Sequence, residues 1–184
     1  LKAAIARKFA RENGLDYTPE QIMVSNGGKQ VIFNAFMATL NAGDEVVVPT
    51  PYWVSYPLIA RMFGATPVFA PCREEDGFRL RADVLAQALT PRTRWVVLNF
   101  PNNPTGAICP AEDLAALAKV LRDYPDVWIL SDEIYEHLVF DGARSASIAA
   151  VAPDLKDRTL TLNGVSKAYA MTGWRVGFAG GPAD

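Results

Sequence analysis

Apolar runs rich in β-branched residues alternate along this chain with segments of helical spacing, and that alternation leaves few folds open. Glu45 to Val48, Thr66 to Ala70, Trp95 to Asn99, Val127 to Ser131, Thr159 to Asn163 and Arg175 to Ala179 read as strands. Gly28 to Leu40, Val54 to Phe63, Ala82 to Leu89 and Ala111 to Leu121 carry helix-compatible apolar spacing, with Pro110, Glu112 and Asp113 opening the last of them. Leu1 to Phe9 reads as an amphipathic helix already under way. The pattern predicts an α/β fold of three layers, α/β/α, around a mostly parallel sheet. Because the strands are nearly continuous in apolar residues, both sheet faces are expected to be covered.

The chain has 184 residues, half of them apolar, which suits one globular domain over residues 1–184. At that size roughly 70% of the unfolded surface is removed from water, so neither metal nor disulfide is needed for a core. Cys72 and Cys109 have no ligand-like spacing, in keeping with a reducing, cytoplasmic setting. A net charge of −2 without a Lys/Arg run argues against nucleic acid as a partner. No apolar stretch approaches the ~18 residues of a membrane span. The start lacks a signal peptide and an initiating methionine, and Gly180 to Asp184 is turn chemistry, so a piece of something longer is expected.

In open α/β sheets, polar groups can face a crevice from the loops beyond the strands' carboxyl ends without breaking the core. The unusual residues fall there. Ser166-Lys167 follows the Thr159 strand, where desolvation makes an amine nucleophilic toward an aldehyde; taken alone, Lys167 is also compatible with a surface lysine. Arg175 offers a bidentate fork for phosphate, and Gly27-Gly28 before a helix offers backbone N–H groups and the helix dipole, or else a plain loop. Asp132 ends an apolar strand and needs a partner, either a cation such as a protonated pyridine nitrogen or a backbone cap.

Asn102-Asn103-Pro104-Thr105-Gly106, after Pro101, forms a rigid polar loop whose amide suits a phenolate-like oxygen. Tyr135 suits the same oxygen or simple packing, and Trp53 suits stacking on a flat ring or a place in the core. His137, the sole histidine, has no accompanying nucleophile or metal constellation and reads as structural.

The order and spacing of these motifs resemble the fold type I, class I/II pyridoxal-phosphate (PLP) dependent aminotransferases over nearly the whole chain. Gly164 to Gly177 is similar to that family's lysine-attachment signature, Pro101 to Gly106 to its cofactor loop, and Ser131 to Tyr135 to its pyridine-nitrogen loop. The resemblance implies that Lys167 forms the Schiff base and moves the proton between substrate and cofactor. It further implies that Asp132 pairs the pyridine nitrogen, that Asn103 and Tyr135 bond the ring 3-oxygen, and that Trp53 stacks on the ring. Gly27, Gly28, Lys29, Ser166 and Arg175 are implied on the phosphate side. Where the family often has a serine, this chain has Gly164.

Gly27 to Gln30 and Met171 to Arg175 resemble most the bacterial and archaeal aspartate aminotransferase subgroup, some of which accept prephenate. In that subgroup the residue matching Lys29 helps read a substrate's distal carboxylate, which makes Lys29, Trp53 and Asn103 candidate substrate contacts. Family members are roughly twice as long, with a small domain and N-terminal arm in addition. The resemblance therefore implies a homodimer acting on an amino acid and a 2-oxoacid, of which this chain is the large PLP-binding domain.

Three rival readings compete. A C–S β-lyase or cyclopropane-forming synthase shares the same loops, since the cofactor does the hard chemistry. A transcriptional regulator with an aminotransferase-like sensor domain needs a winged helix-turn-helix upstream. A cofactor-free Schiff-base enzyme leaves two phosphate-type sites and a stacking tryptophan unexplained. By family likeness the Thr50-Pro51 and Asn103-Pro104 bonds are expected to be cis.

Overall fold

A computed structural model describes residues 1–183. Its strands are β1 (Ile22–Asn26), β2 (Glu45–Thr50), β3 (Thr66–Pro71), β4 (Thr93–Asn99), β5 (Trp128–Asp132), β6 (Thr159–Gly164) and β7 (Val176–Gly180). The helices are α1 (Lys2–Lys8), continued by a π-helical turn over Phe9–Asn13, then α2 (Gly28–Thr39), α3 (Ser55–Met62), α4 (Ala82–Ala88), α5 (Ala111–Arg122) and α6 (Ile148–Val151). They build one seven-stranded sheet in the order β1-β7-β6-β5-β4-β2-β3, in which only β7 runs against its neighbours.

Side chains of successive strand residues go to opposite faces, and each face has its own helices. Val46 and Val48 pack with α2 and α3, around Phe36, Ile59 and Trp95. Val47, Val96 and Ile129 pack the other way, against Leu85 of α4 and Leu114, Leu117 and Leu121 of α5. A third cluster joins Ile5 and Phe9 to Ile22 and Phe178 at the β1–β7 edge. The three-layer expectation holds.

Two elements went unread in the sequence. Strand β1 is a short edge strand, largely half-buried, so its apolar pattern is weak. Helix α6 spans four residues, too few for a helical period to register. Two strands start later than expected: β5 at Trp128 rather than Val127, and β7 at Val176 rather than Arg175, because Arg175 adopts a left-handed conformation with φ 53°. Among the described residues, no helix is long and apolar enough to cross a membrane.

Candidate active site

Strands β4, β5 and β6 are adjacent and parallel, so the loops that follow them open at one end of the sheet. There they meet the N-terminal ends of α2 and α3 around a cavity of about 190 Å³. Gly28, Lys29, Trp53, Asn103, Asp132, Tyr135, Ser166, Lys167 and Arg175 all line it, although they come from regions far apart in the sequence. A larger cavity of about 650 Å³ lies beside α2, near Trp95, Trp128 and Leu160, but its charged groups are confined to Lys2 and Glu20, so it offers no convergent chemistry.

Asp132 ends β5, paired on one side with Asn99 and on the other with Leu162, and the residue is only 4% exposed. The Tyr56 hydroxyl donates to its Oδ2 at 2.7 Å, and the Ile134 N–H donates to its Oδ1 at 3.2 Å. Neither donor is a cation. Burial therefore outweighs these two hydrogen bonds and pushes the carboxyl up to about 6. Burial and the Asp132 charge in turn hold the Tyr56 hydroxyl well above its ordinary range, so Tyr56 stays a donor. Tyr56 is a functional candidate that the sequence reading missed. Its one signal was its place three residues after Trp53, whose ring it meets edge-on at 5.4 Å.

The loop after β4 is held from within. The Asn103 N–H donates to Asn99 Oδ1 at 3.0 Å, and Asn99 Nδ2 donates to the Asp132 carbonyl at 3.0 Å, which ties the loop to β5. Asn103 Nδ2 thereby comes 3.5 Å from the Tyr135 hydroxyl. The Thr50-Pro51 and Asn103-Pro104 bonds are cis as expected, and Phe100-Pro101, which was not anticipated, is cis as well. Trp53, after Pro51, forms one wall of the cavity, with Lys29 Nζ over its ring at 4.9 Å.

Lys167 lies just beyond β6, with Nζ 5.6 Å from the Tyr135 ring centroid. Arg175 donates from Nη1 to the Thr172 carbonyl at 3.1 Å, and its guanidinium lies over Gly27. Gly27 corrects an expectation. It does not line the cavity, and its N–H is taken by the Ser25 carbonyl at 2.9 Å. Its role is room: a Cβ there would stand 2.4 Å from Arg175 Nη2, and φ is +83°. Gly177 likewise lets β7 touch the start of α2, since a Cβ on it would meet Gly28 N at 2.2 Å.

Among the described residues, Lys29, Lys167 and Arg175 form no ion pair, although Asp132 shares their cavity. Three cations thus converge with one buried carboxylate beside an aromatic wall. Such a cleft complements a flat ligand with an anionic group near α2 and Arg175 and a cationic edge near Asp132. His137 lies outside it, with Nε2 3.3 Å from both Glu12 and Glu136, two possible ligand carboxylates that the sequence did not bring together.

The family model described as aminotransferase class I and II matches residues 1–184. The chain is 56% identical to an aspartate/prephenate aminotransferase of Cereibacter sphaeroides, covering 100% of this chain and 46% of that protein. It is 55% identical to an aspartate aminotransferase of Rhizobium meliloti, covering 100% of this chain and 45% of that protein. The crystal structure of an aspartate aminotransferase from Rhizobium meliloti superposes with a TM-score of 0.97 at 55% identity, over 99% of this chain and 46% of that one. An aromatic aminotransferase from Pyrococcus horikoshii gives a TM-score of 0.95 at 42% identity, over 99% and 48%. The chain spans about half the length of the curated relatives it matches. On sequence and fold together, it belongs to the aminotransferase class I and II family.

Proposed function

We propose that residues 1–184 form the large cofactor-binding domain of a PLP-dependent aminotransferase, one that moves an amino group between an aspartate- or glutamate-type amino acid and a 2-oxoacid and works as a homodimer. The observation that carries this reading is Asp132: a carboxylate 4% exposed, bonded only by a hydroxyl and a backbone N–H, in the same cavity as Lys167 and Arg175. A buried anion left without a cation is expensive unless a ligand brings one. A protonated pyridine nitrogen answers that need, and the phosphate of the same ligand answers the free cations. The family and the names of the relatives support the same chemistry.

When bound, the cofactor supplies an electron-poor ring that accepts negative charge from the substrate α-carbon. Asp132 holds the pyridine nitrogen protonated, and the Tyr56 hydroxyl steadies the carboxylate from behind. Asn103 Nδ2 and the Tyr135 hydroxyl, close together, donate to the ring 3-oxygen. Arg175, Ser166 and the amino end of the 12-residue helix α2 at Gly28 hold the phosphate. Trp53 stacks on the ring, while Ile32, Ile134 and Leu162 keep water from the floor of the cleft.

Lys167 is the residue that would hold the cofactor through Nζ, and the same amine, when free, would be the base that holds and moves the proton of the substrate α-carbon. Lys29, over Trp53 at the cavity wall, reads the distal carboxylate of a dicarboxylic substrate. An absorption spectrum of the protein with PLP, before and after Lys167→Ala, tests the reading: a near-ultraviolet or visible band is expected that the variant loses. In the whole protein, aspartate with 2-oxoglutarate should give oxaloacetate and glutamate. Release of ammonia and pyruvate from cystathionine instead would indicate a β-lyase.

A further inference from the structure

We infer that Glu136 is a positioning residue for this cleft, its buried carboxylate clamping the segment that carries Asp132 and Tyr135 to the segment that carries Lys167. The inference rests on the PLP reading above and concerns the face of the segment turned away from the cleft. Asp132 and Tyr135 line the cavity, whereas the acids that follow each of them, Glu133 and Glu136, take their hydrogen bonds from elsewhere.

The Glu136 side chain is 7% exposed and gathers donors from three separate elements. Lys8 of α1 donates through Nζ, Asn13 of the π-helical turn donates to Oε2 at 2.5 Å, and Asn163 of β6 donates to Oε1 at 2.6 Å. Asn163 stands four residues before Lys167. Its own Oδ1 accepts the Gly164 N–H at 2.8 Å, fixing the turn from which the lysine loop departs. Asn13 Nδ2 also reaches Glu133 Oε2 at 3.1 Å, so one amide spans both carboxylates behind the segment.

Glu12, Glu136 and His137 also bring possible metal-ligand atoms within 4.8 Å of one another. The Lys8 ammonium already sits between two of them, paired with Glu136 and 3.6 Å from Glu12, so the cluster is complete as an ion-pair network. Tyr135 immediately precedes Glu136, and its hydroxyl must stay near Asn103 to donate to the ring oxygen. Donors on that oxygen weaken its hold on the proton of the Lys167 link to the cofactor. Releasing the clamp loosens those donors and raises the pH at which the proton leaves.

The test follows the pH dependence of the Lys167-dependent absorption band in the whole protein loaded with PLP. Glu136→Gln turns an amide donor toward Asn13, Asn163 or Lys8, and its titration midpoint should rise by roughly 0.5–1 pH unit. Asn13→Ser keeps the Glu136 charge and removes one donor, and it should shift the midpoint the same way by less, which serves if Glu136→Gln does not fold. Glu12→Gln removes the second carboxylate beside Lys8 and leaves the Asn13 and Asn163 bonds to Glu136 in place; it should leave the midpoint unmoved even if melting falls. If the parent protein gives the band and Glu136→Gln, or Asn13→Ser in its place, titrates at the parent midpoint, the positioning role is wrong and the cofactor reading stands. If the parent protein gives no band, the cofactor reading itself fails, and this inference with it.

Discussion

Asp132 and Glu133 are neighbours in sequence, both buried acids, and the protein treats them in opposite ways. Asp132 faces the cleft with one hydroxyl and one backbone N–H as its donors. Glu133 faces away, bonded by the Ser131 hydroxyl at 2.8 Å and by Asn13, in a network that includes Lys8, Glu136 and Asn163. Burial pushes both upward, to about 6 and about 7. Each has two neutral donors, so the difference lies in what each one faces. Behind the segment Glu133 meets other elements of the protein through Asn13, which ties the segment down; in front Asp132 opens on a cleft, which leaves a place for a cationic ligand group.

Substitutions on the two sides should fail differently. Lys167→Ala breaks the front side most severely, and transaminase activity of the whole protein should fall by about 10⁴-fold or more, with the absorption band lost and the melting temperature nearly unchanged. A large loss of stability in this variant would mean that Lys167 belongs to the structural side.

Asp132→Asn sharpens the contrast, because it should lower activity by about 10²–10⁴-fold yet stabilise the cofactor-free protein. The sign follows from the folded-state pKa of about 6 against 3.8 in the unfolded chain. Between those values the folded protein binds more protons than the unfolded one, so stability is greatest at low pH and declines as pH rises toward 6. The ionised Asp132 then costs about 3 kcal/mol, which the asparagine removes. Urea melts at pH 5 and pH 8 measure it: the pH 8 stability should rise in the variant. PLP should flatten the same slope in the parent protein, since its ring nitrogen supplies the missing cation.

Lys8→Met attacks the back side, leaving Glu136 buried with fewer partners. Chemical denaturation should register a loss of about 1–3 kcal/mol, with the PLP band retained. Unchanged stability would remove the distinction between the two faces. The smallest effect expected is that of Tyr56→Phe. Loss of the 2.7 Å bond should push Asp132 further up and reduce kcat/KM by about 10-fold, most visibly below neutral pH, where the carboxyl is then partly protonated.

Most of the cleft was legible before any coordinates, because its residues sit where a strand-to-loop transition places unusual chemistry. Lys167, Asn103 and Asp132 each follow or end an apolar run. Tyr56 was not legible, since a tyrosine on the first turn of an amphipathic helix looks like core until its hydroxyl is found against Asp132. The clamp behind the segment was equally silent. Lys8, Asn13, Glu136 and Asn163 are ordinary polar residues at unremarkable spacings, and Gly27, read as an anion-binding amide, instead makes room for Arg175.

By itself, then, the sequence settled the alternation of elements, the burial of both sheet faces and the residues at the strand ends, because these depend on local periodicity and on prolines and glycines acting on their own backbone. The strand order, the reversed β7 and the turning of two adjacent buried acids to opposite sides of one segment, one onto the cleft and one onto the helical layer behind it, were settled only in three dimensions. Those outcomes depend on which distant groups pack against one another, and on how much water the packing removes from each charge.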